Sequence, residues 1–429
     1  MNLFLLAKKP AYTNLFFSLL LFLTFAVKAD ELLTLAETIK LSTENQPLLQ
    51  SLDDAAESSR QAAVAQGQLP DPKVKIGIIN LPITNSDAFR FSRDDQTAVN
   101  IGISQDIIPF KKREIASRRM EAEADQFHIE QRATARSIER DVALAWLDAF
   151  EAQRKLELYQ NIMDEMSAER KVLISRISSN GAQTSEVLKL ESRVSMTEDK
   201  WLMAQRDARK ARANLARWIG SASFRPISSE LPVMSRHLSH DAALAEIEKH
   251  PLLQNAHQSE KVAQFDLDKA QADIQRNWGW EAGYGKRFAD RSDMLSFQVS
   301  MDLQLDRANR QDRRTAEKLV LVEKSHKLIE DRRRALSSEL ENALADAEVA
   351  EARENEHLTR LIPNAEALLK ISQAAYRSGK QPLSEVWEAR RRLIETEIDH
   401  WAVLTDRQRA AVKIGYLVND NRLFKENQQ

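Results

Sequence analysis

The sequence predicts a mainly α-helical protein with a small membrane-type β part, built from two copies of one strand-pair plus long α-hairpin unit. Three observations carry that prediction. Glycine and proline number only 10 and 11 in 429 residues, well under the roughly 12% of an ordinary chain. Short landmarks recur in the same order in the two halves. Four short segments alternate between apolar and polar or small residues.

The elements follow in chain order. Lys8 and Lys9 precede an apolar run from Leu15 to Val27, and Val27-Lys28-Ala29 places small residues at the −3 and −1 positions of a cleavage site. Residues 1–29 therefore read as a secretory signal peptide, cut before Asp30. No later stretch is long and apolar enough for a transmembrane helix. The chain has no Cys, which removes thiol catalysis, disulfides, Cys-based metal sites and thioether lipid attachment, and suits an oxidising compartment. The net charge of −2, with bases and acids interleaved, is no nucleic-acid-binding balance.

The duplication is read from matched landmarks. Glu44-Asn45-Gln46-Pro47-Leu48-Leu49-Gln50 recurs as Glu248-Lys249-His250-Pro251-Leu252-Leu253-Gln254, and Ala65-Gln66 as Ala270-Gln271. Asn180-Gly181 before Ser185-Glu186-Val187 recurs as Ser378-Gly379 before Ser384-Glu385-Val386. The first repeat spans 30–219, a linker with Pro226 and Pro232 spans 220–240, the second repeat spans 241–425, and 426–429 form a tail.

Each repeat opens with a Pro-started helix, about 47–68 and about 251–276. A strand pair and a long helical hairpin follow, the hairpins over about 111–219 and about 307–419. Lys111 to Asn180 contains neither Gly nor Pro, so a helix of about 65 residues would reach about 100 Å. Apolar residues at spacings of three and four (Ile138, Val142, Ala145, Ala149; Leu156, Tyr159, Ile162, Met166) imply coiled-coil-like packing. Pro363 interrupts the corresponding second helix and predicts a kink.

Strands are expected at about 73–80, 97–106, 277–287 and 293–304. Val74, Ile76 and Ile78 alternate with Lys75, Gly77 and Ile79, and Trp278, Trp280, Ala282 and Tyr284 alternate with Gly279, Glu281, Gly283 and Gly285. That length and dyad pattern suit a membrane barrel, with Trp278, Trp280, Tyr284, Phe288 and Phe297 as membrane-interface aromatics. Two ordinary hairpins packed on helices would also alternate. Four strands cannot close a barrel, and lipid does not tolerate open edges, so a membrane role requires several chains to pool their strands.

Taken together, these features resemble the TolC-type outer-membrane factors of Gram-negative efflux and type I secretion systems. The most specific stretch runs from Leu361-Ile362-Pro363-Asn364-Ala365 through Ala375-Tyr376-Arg377-Ser378-Gly379 to Ser384-Glu385-Val386-Trp387-Glu388-Ala389. Leu69-Pro70-Asp71-Pro72 and Ile108-Pro109-Phe110-Lys111-Lys112-Arg113 resemble the CzcC-like heavy-metal branch. The resemblance implies a homotrimer with a 12-stranded β-barrel in the outer membrane on a periplasmic α-helical tunnel. It implies a passive exit duct for an inner-membrane transporter, RND-type, reached through a periplasmic adaptor. Divalent metal ions are the first expected cargo, then drugs or other small toxic compounds. A non-conducting periplasmic coiled-coil adaptor or scaffold is the alternative.

The same resemblance assigns the candidate residues. Glu385 and Glu388, three apart on one helical face, fall where the family rings its periplasmic aperture with acids. Arg390, Arg391 and Arg392 could pair with them. Asn180, Gly181, Ala182, Gln183 and Ser185, with Ser378, Gly379, Lys380, Gln381 and Ser384, form the adaptor-docking tips, and Leu81 to Asp95 an extracellular loop. Each has a plainer reading: solvated acids on a helix, and turns that geometry alone requires. His237, His240 and Asp241 have ligand-like spacing but no third firm ligand, and His250 and His257 no better claim; no metal is expected. Nothing resembles a nucleotide loop, a Ser-His-Asp order or a HExxH helix, so neither an enzyme nor a cofactor is expected.

Overall fold

A computed structural model describes residues 32–44, 46–178, 184–232 and 240–419. The signal segment, Asn180 to Gln183 of the first tip, and His237 lie outside the described residues.

The two halves repeat one order of elements. The first comprises α1 (Leu35–Thr43), α2 (Pro47–Gln66), β1 (Lys73–Ile79), β2 (Ala98–Ile107), α3 (Phe110–Ser178) and α4 (Thr184–Ile219). The second comprises α5 (His240–Ile247), α6 (Pro251–Ala272), β3 (Trp278–Arg287), β4 (Met294–Met301), α7 (Gln311–Glu356), α8 (Ile362–Arg377) and α9 (Leu383–Leu417). Both second helices start at Pro47 and Pro251, where the missing N–H costs nothing.

With no Gly or Pro to stop it, α3 runs unbroken for 69 residues, roughly 100 Å at 1.5 Å per residue. Its counterpart is divided by a π-helical turn at His357–Leu361, just before Pro363. Pro363 lacks an N–H, and its ring crowds the carbonyl four residues back. The wider turn absorbs that conflict upstream, so helix continues into α8.

Three clusters hold the helices together. In one, Leu35 and Ile39 of α1 pack on Val142, Trp146, Leu147 and Phe150 of α3 and Leu215 of α4. The buried Trp146 indole donates to the Leu33 carbonyl at 3.1 Å. The second joins Ala243 and Ile247 of α5 to Leu336 and Leu340 of α7 and to Tyr416 and Leu417 of α9. The third, toward the tips, joins Tyr159, Ile162 and Met166 of α3 to Ala204 of α4 and to Ile394 and Ile398 of α9. Heptad-like residues on α3 thus serve two clusters in succession, with Ile138 and Val142 in the first and Tyr159, Ile162 and Met166 in the third.

His250 caps α6 in the second cluster's surroundings. It is 1% exposed, its Nδ1 accepts the Leu252 N–H at 3.2 Å, and its ring meets Tyr416 edge-on. Burial, with Arg136, Arg140 and Arg332 nearby, lowers its pKa to about 4. The unfolded chain takes up this proton as pH falls through about 6.5, the folded chain only near 4, so stability is lost between those values as pH falls. The shift corresponds to about 3 kcal/mol at most. His250→Asn keeps an N-cap acceptor, and its unfolding midpoint should depend less on pH between 4 and 6.5 than that of the wild type. An unchanged pH profile would show that His250 is not the group responsible.

The four strands form one antiparallel sheet in the order β1-β2-β3-β4. Register aligns Ile76, Ile101, Tyr284 and Leu295 in one row and Val74, Ile103, Ala282 and Phe297 in the next. These rows build one continuous, largely exposed apolar face. The opposite face carries Lys73 paired with Asp106 at 2.7 Å, Lys75 paired with Glu281, and Asn100, Ser296 and Gln298. Gly283 is required there: a Cβ would sit 2.9 Å from Ser296 Oγ and 3.2 Å from Asn100 Oδ1. Among the described residues, neither outer strand, β1 or β4, has a strand partner on its outer edge.

Candidate functional site: an open wall with a charged tip

The helices on either side of the molecule's middle also form open rows of four. Beside the sheet, contacts run α2–α3–α6–α7; toward the tips they run α4–α3–α9–α8. Neither α2 with α7 nor α4 with α8 is in substantial contact. These outer helices carry exposed apolar side chains: Leu48 and Val64 on α2, Leu319 and Val320 on α7, Leu188 and Met196 on α4, Leu368 and Ile371 on α8. A monomer in water gains nothing from such a face.

The described tip joins α8 to α9. Gly379 has φ +70°, the left-handed region natural to Gly. The Gly379 and Lys380 N–H groups return to the Tyr376 and Ala375 carbonyls at 3.0 and 2.9 Å, closing the helix C-terminus. Ser378, Gly379, Lys380 and Gln381 are exposed, Ser384 is half-buried in the first turn of α9, and Ser185 is exposed in the first turn of α4. Among the described residues, no atom lies within 4 Å of a Cβ added at Gly379.

The two acids of α9 have different surroundings. Glu385 is exposed in the first turn, where the helix dipole favours a negative charge, and it has no ion-pair partner among the described residues. Glu388 accepts from Arg391 at 2.5 Å and from Arg193 of α4 at 3.2 Å. The Arg391 hydrogen bond holds its carboxyl below the usual range.

Arg391 is itself buried and also reaches Glu169 of α3 at 3.1 Å. Glu169 is 2% exposed, and burial pushes its carboxyl pKa up against the pull of Arg391. Arg390 turns instead to Glu165 of α3. Of the three arginines, then, among the described residues Arg391 alone meets one of the pair Glu385 and Glu388, and it does so within its own helix.

Sequence reasoning did not single out Glu165, Glu169 or Arg193. A signal for part of this network existed: Arg193 and Lys200 are seven apart on α4, as are Glu388 and Glu395 on α9, and Lys200 pairs with Glu395 at 3.1 Å. Matching heptad spacing of opposite charges marks two helices in register.

The proposed interface aromatics divide by position. Trp278 and Trp280 lie at the helical end of the apolar face, and Tyr284 and Phe288 toward the far end, where Phe288 meets Phe91 edge-on at 5.5 Å. The ten residue steps from Trp278 to Phe288 would cover about 25 Å along the axis of a barrel at ordinary strand tilt. Phe297 pairs with Ala282, between the two ends rather than at either.

His240 binds Glu341 at 2.5 Å, and that hydrogen bond raises its pKa. His257 approaches Glu260 at 3.9 Å. No helix among the described residues is long and apolar enough to cross a membrane.

No family model and no curated protein matches the sequence. Solved structures do. The Campylobacter jejuni CmeC outer membrane channel superposes with a TM-score of 0.75 at 9% identity, over 90% of this chain and 85% of that one. A membrane protein from Pseudomonas aeruginosa gives 0.74 at 16% identity, over 91% and 90%. The open state of the Neisseria gonorrhoeae MtrE outer membrane channel gives 0.71 at 15% identity, over 90% and 88%. The chain has the TolC-like channel fold.

Proposed function

We propose that this protein is the outer-membrane exit duct of a tripartite efflux system, acting as a trimer and without catalysis. The observation that carries the reading is the repeated open edge. At three levels (sheet, upper helices, lower helices) the chain presents a row of four elements whose outermost members lack a partner. One operation answers all three: copies placed side by side around an axis pair β4 with the next β1 and cover the apolar outer helices. Because β1 and β4 run in opposite directions, such pairing continues the antiparallel order. Three copies give twelve strands, a closed barrel without exposed edges.

In such a barrel the apolar rows face lipid and the Lys, Glu, Asn, Ser and Gly face lines the lumen. The chain would lie in the Gram-negative outer membrane with its helices in the periplasm. The tips, Asn180 to Gln183 and Ser185 with Ser378 to Gln381 and Ser384, would meet a periplasmic adaptor and, through it, an RND-type inner-membrane transporter supplying the energy. Glu385 would line the aperture. Glu388, already shared between two arginines, would contribute less net charge there than Glu385. Divalent metal ions remain the leading cargo, supported by Leu69-Pro70-Asp71-Pro72 and Ile108 to Arg113. A deletion strain sensitive to metals and not to drugs would support that cargo; drug-only sensitivity would overturn it. The assembly itself is tested by the mass of the detergent-solubilised protein: three copies are expected, and a monomer would contradict the reading.

A further inference from the structure

We propose that the junction between sheet and helices is a collar that docks anionic phospholipid headgroups of the membrane leaflet on the helical side. The inference rests on the lipid-facing reading of the sheet and concerns what lies at its lower rim.

The apolar face does not stop with the strands. Beyond β4, on the same alternation as Phe297, Val299 and Met301, come Leu303 and Leu305, 68% and 90% exposed. Trp278 opens β3 at this end, opposite Ile107 of β2, and Phe110, 69% exposed, begins α3 just past that strand. Charge changes abruptly at the same level. Lys111, Arg276, Arg310, Arg313 and Arg314 are exposed at the strand–helix junctions, and among the described residues none forms an ion pair.

The neighbouring acids are already engaged. Asp312 holds Arg307 at 3.0 Å, Asp273 holds Lys112 at 3.5 Å, Asp106 holds Lys73, Glu114 holds Arg118 and Glu317 holds Lys318. Asp306 accepts from Asn309. Among the described residues, Asp71, Asp302 and Asp306 are the acids at this level left without a cation, three against the five unpaired bases. Each chain therefore presents surplus positive charge directly below a rim of exposed Leu, Phe and Trp. Lys112 and Asp302 both bind Asn277, tying the junctions of β2, β3 and β4 to one level.

Long basic side chains beneath an apolar band lay their stems along the hydrocarbon and place their charges among headgroups. Guanidinium forks match phosphate oxygens in pairs, and an anionic leaflet attracts each such charge within a Debye length. A protein partner would explain the charge but not its continuity with the apolar face.

The test is lipid retention. Protein extracted in mild detergent would be assayed by mass spectrometry for phosphatidylglycerol and cardiolipin against phosphatidylethanolamine, with bilayer conductance as the folding control. Wild type should be enriched in the anionic lipids over its source membrane. Arg310→Gln/Arg313→Gln/Arg314→Gln should lose roughly threefold or more of that enrichment, and wild type should lose it in high salt. Lys111→Gln/Arg276→Gln, on other elements, provides a second reading should the triple variant fail to fold. Conducting variants that retain wild-type enrichment, or a conducting wild type with none, overturn the inference alone. A chain that never inserts overturns it together with the channel reading.

Discussion

Ala282→Arg is expected to abolish stable membrane insertion. Ala282 sits mid-strand in the row Val74, Ile103, Ala282 and Phe297, the part of the apolar face farthest from either end. A guanidinium near a barrel's midplane costs roughly 2–4 kcal/mol per site, and three copies present it three times. Much of the net stability of an ordinary fold lies within that range. Gln298→Arg makes the control, since Gln298 pairs with Glu281 on the opposite, polar face. It should insert like wild type while changing conductance. Urea-resistant retention in membranes reads both. Equal retention of the two variants would mean that the face is not in lipid, and the soluble-hairpin reading would then hold.

Arg391→Ala should be the most damaging single change near the tips. Its guanidinium joins buried Glu169 to Glu388 across α3 and α9. Removing it leaves Glu169 buried without its cation, a loss of about 3–5 kcal/mol. The Arg390–Glu165 contact cannot substitute, because Glu165 is one helical turn away. The loss should appear as faster hydrogen exchange over α9 and the facing end of α3, with the sheet unaffected. Glu169→Met/Arg391→Met, which removes both charges and retains volume, should recover most of the loss. If the double variant is no better than Arg391→Ala, the defect lies in packing and not in a stranded charge.

Much of this architecture was legible in the sequence, because its strongest signals are local. Absence of Gly and Pro from Lys111 to Asn180 is sufficient to extend α3, and two-residue alternation around Val74, Ile101, Trp280 and Phe297 is sufficient to give the sheet two unlike faces. Pro363 marked the break in the second hairpin, but not that a π-helical turn would precede it, since that choice depends on how α7 and α8 must both keep contact with α9. The charged tip was less legible for the same reason. Glu385 and Glu388 look alike in sequence; what separates them is which helix faces each. Arg193 and Glu169 lie far from Glu388 in the chain, and only the packing of α3, α4 and α9 brings them together. The bare edges of α2, α4, α7 and α8 are likewise a property of three-dimensional contact. No one-dimensional pattern distinguishes a helix side buried by its own chain from one left for a neighbour.

The central claim is conduction, and planar-bilayer recording of the purified mature protein tests it most directly, alongside Glu385→Ala/Glu388→Ala. Discrete, cation-selective steps are predicted, with weaker selectivity or larger steps in the variant, because removing exposed Glu385 and releasing Arg193 from Glu388 both reduce negative charge at the aperture, while Arg391 keeps Glu169. A well-folded protein that neither inserts nor conducts would contradict the account and favour a periplasmic scaffold.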